Sequence, residues 1–179
     1  MAKRVFLGFL ISAKLKKKIL LWEKSQKKIF KYRWISARNL HLTLVPPWYT
    51  NDPNVIKDKL ILLSHLANSI ELRFSEVVYA PSSNNPRLIW AEGKTPRQVQ
   101  ELKKYLEILL DKRPESRPFL LHLTLARFNK VDYIKYCSQI LDSKIDWQDE
   151  VKYLVLFASQ LSSKGANYKP IFKINLLAE

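Results

Sequence analysis

The tetrapeptide His-Leu-Thr-Leu occurs twice, at His41 to Leu44 and at His122 to Leu125, in a chain of 179 residues that holds only three histidines. At average residue usage a second histidine with the same three followers arises by chance on the order of once in a thousand, so the repeat has a cause. In an extended strand side chains alternate, which puts His41 and Thr43 on one face with Leu42 and Leu44 on the other, and His122 and Thr124 opposite Leu123 and Leu125. Each copy is a polar face backed by two leucines that need a core. The rest of the chain has to supply that core and decide where the two polar faces meet.

Residues Arg4 to Ile11 are apolar and β-prone without helical period, which predicts a buried strand. Ser12 caps a helix from Ala13 to about Phe30, and the first motif strand runs from Leu40 to Val45. Pro46-Pro47 must end that strand or bring it to an edge, leaving Trp48 and Tyr49 in a loop beside the motif. Asp52-Pro53 starts a second helix, Val55 to Leu66, in which His65 is read as an ordinary helix residue. Glu71 to Ala80 is a strand, and residues 81–86 (PSSNNP) form a loop at the mid-point. The order then restarts with a strand at Arg87 to Ala91, a helix from Thr95-Pro96 to about Leu110 and the second motif strand, Phe119 to Phe128. Strand to motif is 41 minus 4, or 37 residues, in the first half and 122 minus 87, or 35, in the second. This predicts two similar β-α-β units. A further helix, Val131 to Leu141, and strands Val151 to Gln160 and Tyr168 to Leu176 complete the chain.

Composition narrows the partners. A hydrophobic share of 47% and an aromatic share of 12% indicate a globular protein. No apolar run approaches the roughly 20 residues of a membrane span, and the N-terminal stretch lacks a small-residue cleavage site, so a cytoplasmic protein is expected. Lone Cys137, read as a partly buried helix residue, allows no internal disulfide. The net charge of +15 points to a phosphate-rich partner, with solvated lysine faces as the plainer reading of KLKKK and SQKKIFKYR. Only three glycines occur, which rules out a Gly-rich phosphate cradle. Phosphate must be held by side chains.

Two facing histidines supply a base and an acid near neutral pH, because an imidazole with a pKa of about 6.5 takes either form. In-line displacement at phosphorus needs that pair on opposite sides, while Thr43 and Thr124 donate hydrogen bonds to the non-bridging oxygens. Arg127 adds charge if a bulge brings it to the histidine face. Trp34, Trp48 and Trp90 are candidates to stack on a base, against a plain core role. Nothing in this chemistry demands a metal ion or another cofactor.

These residues resemble the 2H phosphoesterase superfamily, defined by two HxTx motifs, and within it the LigT-like RNA 2′,3′-cyclic phosphodiesterases, also called 2′-5′ RNA ligases. The resemblance runs through RVFLGFLI, WISARNLHLTL, PSSNNPRLIWAEG, RPFLLHLTLARF and VKYLVLFASQLSSKGANYKPIFKINL, nearly the whole chain. It implies an α/β (α+β) bilobal fold over residues 1–179 as a single domain, two pseudo-symmetric lobes with antiparallel sheets lining a central cleft and helices outside. It also implies metal-independent hydrolysis of a terminal 2′,3′-cyclic phosphate to a 2′-phosphate, with His41 as proton donor and His122 as proton acceptor, and reverse 2′-5′ ligation. Substrate-binding candidates are Arg127, Trp34 and Trp48; the expected partners are RNA ends or nucleotides with a cyclic phosphate, and the expected state is a monomer. Two departures bear on substrate preference: VPPWYT follows the first motif where the family has an aromatic-Leu-Gly turn, and Ser159-Gln160-Leu161 stands where it often has Ser-Arg-Leu. The alternative from another class is a non-catalytic protein that binds RNA ends or nucleotides.

Overall fold

The computed structural model describes residues 2–62, 68–82, 85–115, 117–136, 141, 143–162 and 165–176. Nine strands and four α-helices follow in the order β1 (Lys3–Leu10), α1 (Ala13–Gln26), β2 (Arg33–Trp34), β3 (His41–Thr50), α2 (Pro53–Ile61), β4 (Ile70–Ala80), β5 (Leu88–Gly93), α3 (Arg97–Leu109), β6 (Leu121–Arg127), α4 (Lys130–Tyr136), β7 (Lys144–Val151), β8 (Tyr153–Ser162) and β9 (Gly165–Asn175), among the described residues. A short 3₁₀ turn, Ala37–Asn39, leads into β3.

Two antiparallel sheets carry one motif each. The first has the order β3-β1-β8-β9, the second β6-β5-β4-β7 with the two-residue β2 added outside β6. Read outward from the motif strand the two orders correspond, and in each the motif strand pairs with the strand that opens its own half. The near-equal spacing in the sequence is this correspondence. The fold is bilobal and mixed α/β, as expected.

Alternation decides which face is core. On β1, Val5, Leu7 and Phe9 are fully buried, and they join Leu42 and Leu44 of β3, Leu121, Leu123 and Leu125 of β6, Leu15 and Ile19 of α1 and Val99 and Leu106 of α3 in one apolar cluster. Each fully buried leucine contributes about 1.5–3 kcal/mol, so the motif leucines anchor the strands from which the histidines project. Phe6 points the other way and belongs to a small separate cluster with Val155 and Phe157. Sheet faces bearing the imidazoles are therefore the faces away from the main core.

Helix starts follow the capping rules. The Ser12 hydroxyl accepts from the Leu15 N–H at 3.1 Å, and the Ser12 N–H donates to Asp149 Oδ2 at 2.9 Å, which ties α1 to β7. Asp52 accepts from the Asn54 N–H at 2.8 Å, with Pro53 in the first turn. Helix α1 stops at Gln26, short of Phe30, because Phe30 turns fully inward and stacks on Tyr32. The expected continuation of α2 to Leu66, His65 with it, and Cys137 lie outside the described residues.

Two expectations are corrected, the edge placement of the prolines holds, and one strand is added. Strand β3 passes through Pro46-Pro47 to Thr50, because it is an edge strand and its register with β1 shifts between Val5 and Leu7, opposite the prolines. An edge and a bulge are the places where a missing N–H costs no ladder bond. Trp48 and Tyr49 are consequently strand residues and not a loop. Strand β7 (KIDWQDEV) carries no apolar run that marks it in the sequence, since charged or polar residues fill its exposed positions while Trp147, Asp149 and Val151 are buried.

Candidate active site

His41 on β3 and His122 on β6 open onto one cavity of about 250 Å³, together with Thr43, Thr124, Arg4, Phe6, Pro47, Arg127 and Tyr168. The two sheets thus present their motifs to a shared space. Two guanidinium groups line it, one from each sheet, and among the described residues no carboxylate does. Such a lining favours an anion.

A bulge at the same place in each motif shapes the cavity. In the β5–β6 ladder Trp90 pairs with Thr124 but Ile89 with Ala126, which leaves Leu125 as the extra residue. In the β1–β3 ladder Gly8 pairs with Thr43 but Leu7 with Val45, which leaves Leu44 extra. The extra residue reverses the alternation beyond it. Arg127, which strict alternation would place off the histidine face, is thereby delivered to the cavity. The corresponding position in the first motif is Pro46, three residues after Thr43, so the charge comes from only one motif. Arg4 of β1 supplies the other cation and donates from Nη1 to Ser159 Oγ at 2.5 Å.

Both imidazoles are held alike. His41 Nδ1 lies 2.6 Å from the Asn39 carbonyl and His122 Nδ1 lies 2.8 Å from the Leu120 carbonyl. A carbonyl only accepts, so each ring carries its proton on Nδ1 and leaves Nε2 for the cavity. The Thr43 hydroxyl donates to His41 Nε2 at 3.1 Å. Asn39 is itself fixed to β9: its side chain donates to the Ala166 carbonyl at 2.8 Å and accepts from the Tyr168 N–H at 3.2 Å. Phe6 and Tyr168 close on the His41 ring, with centroids 4.8 Å away in each case.

The two rings differ electrostatically. Burial lowers the His41 pKa from 6.5 to about 4, helped by the nearby charges of Arg127 and His122. Burial also lowers that of His122, but there the Glu115 carboxylate pulls in the opposite direction. Glu115 is held by Lys103 of α3 at 3.0 Å, and Lys103 also pairs with buried Glu107. Trp90 stacks on the His122 ring at 4.0 Å, an arrangement that favours the imidazolium. His41 is the stronger acid once charged, and His122 the readier base.

Comparison with solved structures finds the same architecture over nearly the whole chain. Escherichia coli LigT complexed with 3′-AMP is 22% identical, with a TM-score of 0.76 over 98% of this chain and 99% of LigT. The protein TT0787 of Thermus thermophilus is 21% identical, with a TM-score of 0.77 over 98% of this chain and 99% of that one. A crystal structure described as a phosphoesterase is 21% identical, with a TM-score of 0.75 over 99% of both chains. The chain has the LigT fold. No family model matches the sequence, and no curated protein sequence matches it.

Within the LigT fold the structure brings His41, His122, Thr43, Thr124 and Arg127 together and leaves two expected residues out. Trp34 pairs with buried Ala126 at the sheet edge and packs edge-on against Trp22 of α1, on the core side. Trp48 stands opposite fully buried Val5, packs on the main core and lies under Lys112 Nζ at 4.7 Å. Neither lines the histidine cavity. Trp90 is the tryptophan stacked on His122, in an adjoining groove with Phe119, Arg117 and Glu115. Sequence reasoning missed Arg4, Phe6, Tyr168 and Asn39. Alternation along β1 carries a signal for the first two, since Arg4 and Phe6 share a parity opposite to Val5, Leu7 and Phe9; nothing local marks Tyr168. Among the described residues no three His, Cys, Asp or Glu side chains gather as a metal-ligand set.

Proposed function

We propose that the chain is a 2H phosphoesterase that hydrolyses a terminal 2′,3′-cyclic phosphate of RNA to a 2′-phosphate without a metal, and that it catalyses the reverse 2′-5′ ligation. The observation that carries this reading is the pair of Nδ1-protonated imidazoles, one from each sheet, opening on one carboxylate-free cavity beside two arginines and two threonines. His122 Nε2 takes a proton from water as its oxygen bonds to phosphorus. The bond from phosphorus to O3′ breaks, and His41 Nε2, protonated in the complex, gives its proton to O3′. The cyclic phosphate anion itself raises the His41 pKa on binding and supplies the charged acid that the free protein lacks. Arg4, Arg127, Thr43 and Thr124 receive the non-bridging oxygens. Glu115 and Trp90 favour the imidazolium on His122 and support its role as proton acceptor.

Structures of E. coli LigT complexed with 3′-AMP, phosphate, ATP and NADP+ support a nucleotide phosphate as the ligand of this cavity. We read the whole chain as one domain acting as a monomer in the cytoplasm; no helix among the described residues is long and apolar enough to cross a membrane. The test is incubation with a nucleoside 2′,3′-cyclic phosphate in EDTA, followed by chromatography of the products. Release of the 2′-phosphate alone is expected, with turnover lost in His41→Ala and in His122→Ala. Activity abolished by chelator, or a wild-type rate in either variant, contradicts the proposal; salt-sensitive binding of RNA ends with no hydrolysis at any pH indicates the non-catalytic alternative.

A further inference from the structure

We propose that a second, basic groove meeting the catalytic cavity at Arg4 holds the sugar–phosphate chain upstream of the reacting RNA end, so that the protein prefers oligonucleotide ends to mononucleotides. This rests on the cyclic-phosphate reading above and deepens it. The groove, about 760 Å³, is larger than the histidine cavity and shares Arg4 with it. Arg4 is fixed at the junction by its hydrogen bond to Ser159, which lines the groove.

Its charge is of one sign. Among the described residues Lys3, Arg4 and Lys169 line it with no Asp or Glu, and no carboxylate pairs with Lys3 or Lys169. Unpaired cations along a groove that leaves a phosphate site are what a phosphodiester chain needs. The walls also offer faces for bases. Tyr49 is 70% exposed and stands opposite Arg4 in the β1–β3 ladder, and Ile171 is exposed on the far wall. An aromatic ring there can stack on a base whatever its sequence. On the other side of the histidines, the groove with Trp90 and Phe119 carries the Glu115 carboxylate. Trp90 and Phe119 give that side the flat faces that suit the terminal nucleoside.

The experiment compares a nucleoside 2′,3′-cyclic phosphate with oligonucleotides of two to six residues ending in the same cyclic nucleotide, using the wild type and the double variant Lys3→Ala, Lys169→Ala. In the wild type KM is expected to fall about tenfold from the mononucleotide to the longer oligomers. The double variant is expected to lose that gain while keeping wild-type kinetics on the mononucleotide. Its kcat/KM on the oligomer should also depend less steeply on salt, by about 1.4 in the logarithmic slope for two lost phosphate contacts. Equal KM for both substrates in the wild type, or a double variant impaired equally on both, overturns the groove. Fluorescence anisotropy with a 2′-phosphate-ended oligomer decides the matter independently of turnover: affinity that exceeds that for the nucleoside 2′-phosphate and drops in the double variant supports the groove, and unchanged affinity refutes it.

Discussion

Burying His41 beside Arg127 and His122 has a consequence for the stability of the whole fold. Its pKa falls from 6.5 to about 4, and 6.5 minus 4 is 2.5 pH units, worth about 3 kcal/mol. Between these two values the unfolded chain binds a proton that the folded chain refuses, so stability rises with pH across the window. The contribution is complete above pH 6.5 and is lost as pH falls toward 4. In a chain of this length about 3 kcal/mol corresponds to about 10 °C in melting temperature. The measurement is urea unfolding of the wild type and His41→Gln from pH 7.5 to 4 in a buffer free of phosphate. Titrating groups that do not interact with His41 cancel in the difference between the two proteins, and that difference should shift by about 3 kcal/mol in favour of the variant at the acid end. Inorganic phosphate added at pH 5 should recover much of the wild-type loss by stabilising the imidazolium. Parallel curves for the two proteins would refute the reasoning about His41.

Three further outcomes follow from the same structure. Because the productive free protein needs His41 charged and His122 neutral while both pKa values are depressed, kcat/KM on a cyclic nucleotide should peak on the acid side of pH 6.5, and kcat, which reports the complex, at higher pH; a pH–rate series checks both. Gly8→Ala would put a Cβ 2.2 Å from the Leu42 carbonyl oxygen, so β1 and β3 must part beside Thr43; a loss of at least about 2 kcal/mol in urea unfolding is expected. Asn39→Ala removes two hydrogen bonds to β9, and should cost about 1–3 kcal/mol of stability and lower kcat more than it raises KM.

The duplicated HLTL and its near-equal spacing made the paired sheets and the leucine anchors readable, because period-two alternation and core burial are local properties of a strand. Arg127 was readable only in part, since a bulge at Leu125 reverses the alternation and leaves no mark in the sequence. Trp34 and Trp48 misled for the opposite reason: aromatic rings near a motif suit a base, but whether they face the cavity depends on register, and register turned both toward the core. Tyr168 reaches the cavity through β9, which is 127 residues from His41 along the chain (168 minus 41). Strand β7 hid behind its charges: Lys144, Asp146 and Glu150 are solvent-facing positions of a sheet edge, and buried Asp149 is spent on the Ser12 N–H of α1.

In the proposed reaction His41 and His122 act on the same phosphorus atom. Nitrogen-15 NMR of the imidazoles during titration with a nucleoside 2′-phosphate in EDTA tests it most directly, since single-residue variants assign each of the three histidines. The Nε2 signals of both residues are expected to move together with one dissociation constant, and both pKa values to rise in the complex. A response from one ring alone, or from neither, would contradict it.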